Sequence, residues 1–427
     1  MTVPAATGDF KADAACDVLI AGGGMVGASL AVALGHLPLR VTLVESVPLG
    51  VAGQPSFDAR TTALSRSSRQ ILGTLGIWTT VDAQATAIRQ IHVSERGRLG
   101  TAVIDADEEG VPALGYVLPN RQLGAALWDA LGRQPNVTVH APGSVTSVED
   151  VGDGWRVHMT GPAGGMTSHT RLLVVADGAR SPLRDALGIA ARTRPYGQVA
   201  IVGNVLVEKP GTGTTAYERF TADGPLALLP AGDGRYVFVL TRRTSAAPAI
   251  VALPDAEFLQ LLQREFGFRL GRFQRLGVRA QYPLELSQAS AVTARRAVIV
   301  GNAAHGLHPV AGQGYNLGLR DAAVLAELLA EVLAEQLEDP GDPALLARYA
   351  DWRRADQRKV VAFTDGLIRL FDLAGLGALR GLGLLAFDAL PGAKRLLARE
   401  TMGLGGRRTR LARGLPLQDA SRKDESP

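Results

Sequence analysis

The stretch from Asp17 to Glu45 restricts this chain more than any other. Asp17-Val-Leu-Ile-Ala21 is a short apolar run that leads directly into Gly22-Gly-Gly-Met-Val-Gly27. A helical stretch follows through residues 28–37, and residues 41–45 read as a second strand ending in the acid Glu45. In that setting the glycines fit the G-x-G-x-x-G of a dinucleotide-binding turn. Gly22 permits the tight turn, Gly24 lets backbone reach a pyrophosphate, and Gly27 allows close helix–strand packing. The helix N-terminus offers unpaired N–H groups and a partial positive charge to the same anion. Glu45 is placed to accept hydrogen bonds from the adenosine ribose, which suits FAD or NAD rather than NADP.

The glycine pattern alone would be weak, because the chain holds 50 glycines in 427 residues, well above the roughly 7% of an average protein. The context of strand, helix and acid is what makes it specific. Composition also excludes several classes of function. The net charge is only +4, and the basic residues are spread along the chain rather than gathered in a stripe with aromatics, so a nucleic-acid partner is not expected. Cys16 is the only cysteine, which rules out an internal disulfide, a cysteine-based metal centre and electron transfer through a redox disulfide. The seven histidines show no H-x-x-x-H or H-E-x-x-H pairing, so no metal is expected. No run of about 18 apolar residues suggests a transmembrane helix, and the first 15 residues lack a signal-peptide pattern. The expected location is the cytoplasm, with peripheral contact at the inner membrane as an open alternative.

The middle of the chain, residues 198–283, is rich in strand-like runs at 199–207, 226–229 and 236–241. It reads as a mostly antiparallel sheet set into an α/β frame. Residues 321–400 have apolar positions at helical spacing. The stretch 367–390 is unusually apolar, and reads either as a packed helix pair or as an amphipathic face for a membrane surface or partner subunit. Beyond Gly405 the chain turns arginine-rich and polar and is expected to be disordered.

Two further motifs follow the same logic. Arg171-Leu-Leu-Val-Val-Ala-Asp177-Gly178-Ala-Arg180-Ser181 is a buried strand ending in a polar turn. Ala297-Val-Ile-Val-Gly301-Asn302-Ala-Ala-His305 is another, and His308-Pro309-Val-Ala-Gly312-Gln313-Gly314-Tyr-Asn316-Leu-Gly318-Leu-Arg-Asp321 then leads into a helix. Glycines 312 and 314 again let backbone amides approach a ligand at a helix start.

With these motifs the chain resembles the class A flavoprotein monooxygenases of the para-hydroxybenzoate hydroxylase type, and within them the ubiquinone-biosynthesis hydroxylases. The run from His308 to Asp321 carries the resemblance. Ser56-Phe-Asp-Ala-Arg60, Leu75-Gly-Ile-Trp78, Ala87-Ile-Arg-Gln-Ile-His-Val-Ser-Glu-Arg-Gly97, Tyr217-Glu-Arg-Phe-Thr221 and Gly224-Pro-Leu-Ala-Leu-Leu-Pro230 support it. The short matches point toward members acting on 2-octaprenyl-6-methoxyphenol.

The resemblance implies an α/β fold. A Rossmann-like FAD-binding domain would comprise residues 13–75, 106–192 and 286–365, interleaved with a mostly antiparallel β-sheet substrate domain at 76–105 and 193–285. A helical region at 366–405 and a tail at 406–427 would complete it. It further implies that Gly22, Gly24, Gly27 and Glu45 hold the ADP half of FAD, with Arg60 and Arg121 near the phosphates and flavin. Asp177 belongs to a motif that serves FAD and the nicotinamide cofactor, and Asn302, where most relatives have Asp, would contact the ribityl chain. Pro309, Gly312, Gln313, Gly314 and Asn316 would border the isoalloxazine ring.

The implied reaction is aromatic hydroxylation of a polyprenyl phenol with O₂ and NADPH or NADH, through a flavin C4a-hydroperoxide. Side chains cannot supply that chemistry alone. A base for the phenol is expected but the sequence does not name it; His308, Tyr217 and Arg219 are the candidates. An FAD monooxygenase of another aromatic compound and a non-catalytic flavoprotein scaffold remain the alternatives. A halogenase is disfavoured, because Trp78, Trp128, Trp155 and Trp352 are isolated, and a plain NAD dehydrogenase leaves the run from His308 to Asp321 unexplained.

Overall fold

The structure, a computed structural model, describes residues 15–48, 60–306, 312–335, 339–372 and 390–418. Its frame is an eight-stranded sheet. Five strands run parallel through its centre: Ala297–Ile299, Gly164–Val175, Cys16–Ala21, Val41–Val44 and Val137–His140. Cys16–Ala21 and Val41–Val44 are buried almost throughout. That burial explains why they read as continuous apolar runs rather than alternating ones. The helices Met25–Leu34, Asn120–Leu131 and Gln313–Ala334 pack into one core over this sheet. A second core, with Leu19, Val157, Leu173 and Ile299, fills the other face.

The helix after the glycine turn spans Met25–Leu34, where the sequence pattern suggests 28–37. It starts immediately after Gly24, so its first amides stand at the turn itself.

The second sheet has nine strands, in the order His305–Gly306, Ala280–Ala289, Ala191–Val207, Arg235–Arg243, Leu226–Pro230, Thr215–Phe220, Gln90–Glu95 and Thr101–Asp105, with Phe273–Leu276 beside Ala191–Val207. All its pairings are antiparallel except that of Thr215–Phe220 with Gln90–Glu95. One face packs under the helix Asp255–Phe266 through Phe238, Phe258, Phe266 and Tyr236. Alternation along each strand sends the intervening residues to the opposite face, and that face looks into the molecule.

The C-terminal part differs from expectation. Residues 406–418 are packed rather than loose: Leu411, Ala412 and Leu417 join the main core. Arg407 lies 3.6 Å over the Trp352 ring, and the Arg410 N–H donates to Glu327. Of the arginines that suggest a solvated tail, Arg407 covers an aromatic face, and Arg410 is held through its backbone N–H and through its side chain on the Pro416 carbonyl. Of the apolar stretch 367–390, residues 373–389 lie outside the described residues. Among the described residues no helix is long and apolar enough to cross a membrane.

Candidate active site

The glycine turn is built so tightly at Gly22 and Gly27 that no other residue fits there. Gly22 has φ +112°, and a Cβ there would stand 2.3 Å from the Ala176 carbonyl oxygen. A Cβ on Gly27 would stand 1.9 Å from the Gly22 carbonyl oxygen. Gly24 faces open space instead and lines a large cavity. The helix that starts there has no side-chain cap and no acid in its first turn, so its terminal N–H groups and dipole are available to an anion. Glu45, also on the cavity wall, accepts from Gly23 N–H at 2.6 Å and from Val47 N–H at 2.9 Å. A carboxylate has about four acceptor positions, so capacity for ribose hydroxyls is left.

Asp177 closes the next strand and lines the same cavity. Its Oδ2 accepts from Leu183 N–H at 3.4 Å, whereas Oδ1 is buried with no hydrogen-bond partner among the described residues. Burial pushes this carboxyl above its ordinary range. Thr61 Oγ1, also on the cavity wall, is similarly buried and unpartnered among the described residues. Buried polar atoms are rarely left so, and both fit a polar ligand in this cavity. Asn302 sits in a short 3-10 turn, Gly301–Ala303, with its side chain exposed to the cavity.

The helix Gln313–Ala334 begins at Gly312, whose φ is +60° and whose Cβ would meet Ala63 Cβ at 2.9 Å. Gly314 has nothing within 4 Å on its open side, and Gly312, Gln313 and Gly314 all line the cavity. Asn316 lines it too, but its amide is engaged inside the protein. Its Oδ1 accepts from Ser65 N–H and Ser68 Oγ, and its Nδ2 donates to the carbonyls of Ala63 and Gly312. Its visible role is to clamp the helix start onto the strand Thr61–Ser65.

Behind this helix start, Asp321 is fully buried. It accepts from Gly301 N–H at 3.0 Å, His305 Nε2 at 2.7 Å and Arg353 Nε at 2.7 Å. Burial alone would raise its pKa, but His305 and Arg353 hold it well below the usual carboxylate range. Gly318 lets these pieces meet, since a Cβ there would stand 2.7 Å from Val26 Cγ2 and 3.1 Å from Gly301 Cα. Neither role is visible in the motif, because the partners come from distant segments.

The remaining expected residues divide. Arg60 lines the cavity and stacks 5.0 Å over the Tyr282 ring. Arg121 is exposed and is not part of the cavity wall; its neighbour Asn120 is, held by Thr62 Oγ1 at 2.6 Å. His308 and Pro309 lie outside the described residues. Tyr217 and Arg219 turn their side chains to the far face of the second sheet. The Tyr217 ring packs edge-on to Phe266 at 5.2 Å, and Arg219 donates to the Glu265 carbonyl and to Ser94 Oγ. Glu218, between them, lines the cavity.

That cavity measures ≈1490 Å³ and continues from the glycine turns to the inner face of the second sheet. Single-ligand sites usually run to about 300–1,000 Å³, so this one has room for a dinucleotide and a second, apolar molecule.

Residues 15–364 match the FAD binding domain family. Ubiquinone hydroxylase UbiL of Rhodospirillum rubrum is 40% identical over 423 residues, 97% of either chain. The 3-demethoxyubiquinol 3-hydroxylase of Escherichia coli is 32% identical, over 91% of this chain and 98% of its own. Among solved structures, p-nitrophenol 4-monooxygenase PnpA from Pseudomonas putida shares the fold with a TM-score of 0.76, at 20% identity, over 93% of this chain and 100% of its own. The cradle of glycines, the acid beside it and the unpartnered polar atoms fit FAD, and the chain belongs to the FAD-dependent aromatic monooxygenases, in the family of the ubiquinone-biosynthesis hydroxylases.

Proposed function

We propose that this enzyme hydroxylates the aromatic ring of a polyprenyl phenol during ubiquinone biosynthesis, using O₂ and reduced nicotinamide, NADPH or NADH. The observation that carries the reading is the single cavity that joins the dinucleotide cradle to an apolar chamber on the second sheet. An apolar prenylated ring suits that chamber, and its relatives' names indicate the pathway.

FAD, when bound, takes electrons from the nicotinamide and activates O₂, which side chains alone cannot do. The chain's own residues bind and orient. Gly22, Gly24 and Gly27 admit the pyrophosphate to the helix amides, and Glu45 takes the adenosine ribose. Asn302 offers a neutral amide that can both donate and accept toward the ribityl hydroxyls. The helix amides at Gly312, Gln313 and Gly314 stabilise negative charge on the ring system. Asp177 and Arg60 complete the polar wall. Ile91, Ile104, Leu229 and Val237, all on the chamber wall, exclude water from the reacting centre.

Deleting the gene and profiling quinone intermediates by mass spectrometry tests the reading. A prenylphenol lacking one hydroxyl should accumulate, and its structure names the ring carbon. An unchanged ubiquinone pool contradicts the assignment and leaves an FAD monooxygenase of another aromatic compound.

A further inference from the structure

Two carboxyls of the second sheet line the cavity, Glu218 and Glu285, and Glu218 stands in an otherwise apolar row. Glu218 pairs across the strands with Val93 on one side and Ala227 on the other. The same row continues to Ala102 beyond Val93, and to Val239 and Val202 beyond Ala227. Every residue of this row lines the cavity. Glu218 is enclosed by protein yet keeps some accessible surface, because it opens on the cavity. Among the described residues its carboxyl has no hydrogen bond or ion pair.

A buried carboxyl without a partner is costly to a fold and does nothing for packing. The adjoining polar residues show the contrast. Arg219 and Tyr217, one position to either side, are both anchored on the far face.

We propose that Glu218 is the catalytic base for the phenol. Its carboxylate takes the phenolic proton: the substrate O–H bond breaks as an Oε–H bond forms. The electron pair left on oxygen then enriches the ring carbon that receives the oxygen atom. No electrons leave the substrate in this step. The proposal rests on the reading of the enzyme as a phenol hydroxylase.

Burial pushes the Glu218 carboxyl up to about 7, where a base is best matched to work near neutral pH. Other titratable residues on the cavity wall are Glu45, Arg60, Asp177, Tyr217, Tyr282, Glu285 and Tyr315, the Tyr217 ring being packed against Phe266. The neighbouring strand Leu226–Pro230 has no titratable residue. On the strand Gln90–Glu95, His92 meets Arg269 on the far face. The helix Pro391–Thr401 brings Leu397 and Thr401 to the wall, and its Lys394 pairs with Glu108. Burial is the single cause of the Glu218 shift.

The test compares wild type, E218Q and E218D as FAD holoenzymes, with flavin content measured first. Reduced enzyme is mixed with O₂ and a short-chain prenylphenol across a pH series, and product is followed in a single turnover. The wild-type rate should rise with pH through an inflection near 7, as the carboxylate forms. E218Q should lose that inflection and slow by about 10²-fold or more, with reduced flavin still reoxidised by O₂ and peroxide released. E218D should keep an inflection at a lower rate. An E218Q enzyme with the wild-type rate and inflection overturns the proposal. Should E218Q not hold flavin, E218A is used with added formate: rescue of the rate supports the proposal, and no rescue overturns it. A wild type that hydroxylates no prenylphenol contradicts the functional reading itself, which separates that failure from failure of Glu218 alone.

Discussion

Two buried carboxylates in this enzyme have opposite consequences for stability. Asp321 is held ionised by His305 and Arg353, so its folded pKa is lowered. Its contribution is present above the unfolded pKa of 3.8 and is lost as pH falls through the folded value. Asp321→Asn would leave Arg353 buried without that anion, which typically costs about 3–5 kcal/mol; a denaturant titration at neutral pH reads this directly. A loss below about 1 kcal/mol would mean the network adds little. Glu218 has a raised folded pKa, so ionising it costs the folded state. That cost is absent below about 4.5 and complete above about 7. E218Q should therefore stabilise the protein by up to about 3 kcal/mol at pH 8 and by almost nothing near pH 4.5. Melting curves at the two pH values check it, and an equal Tm change at both would contradict the burial argument. The glycines of the dinucleotide turn were readable from spacing because their constraint is local. Asp321 was not, because its partners Gly301, His305 and Arg353 meet it only in the folded chain.

At the scale of elements, fully buried parallel strands were the most legible, since an apolar run such as Cys16–Ala21 signals its burial directly. The strand Thr215–Phe220 shows the limit. Tyr217 and Arg219 are the residue types that invite a catalytic reading, but alternation faces them to the helix Asp255–Phe266 and gives the cavity to Glu218. Which face is inside was set by pairing with Gln90–Glu95, far away in sequence. The last segment was misread for a related reason. Its arginines look solvated, yet Arg407 covers Trp352, and Leu411 and Leu417 enter the main core. Truncation after residue 405 should therefore destabilise the protein, since each buried leucine contributes about 1.5–3 kcal/mol. Thermal unfolding of the truncated chain should show a clear drop in Tm, and an unchanged Tm would restore the picture of a loose tail.

The two large sheets are arranged so that one cavity of ≈1490 Å³ serves both. The motifs at Gly22–Gly27, Asp177 and Gly312–Asn316 point to the end proposed for the cofactor, because glycine turns at helix starts have few other physical uses. The apolar end was not legible, since its wall is assembled from five or more separated strands whose side chains alternate between core and cavity. Union of the two ends is the central claim: electrons and oxygen handled at one end must reach a ring held at the other. The most direct test supplies the purified FAD enzyme with NADPH, ¹⁸O₂ and a short-chain prenylphenol, and measures nicotinamide consumed against labelled product. The account predicts one labelled oxygen per product molecule and close to one nicotinamide oxidised for each. Nicotinamide oxidation with no labelled phenol formed, across a range of prenylphenols, would contradict it.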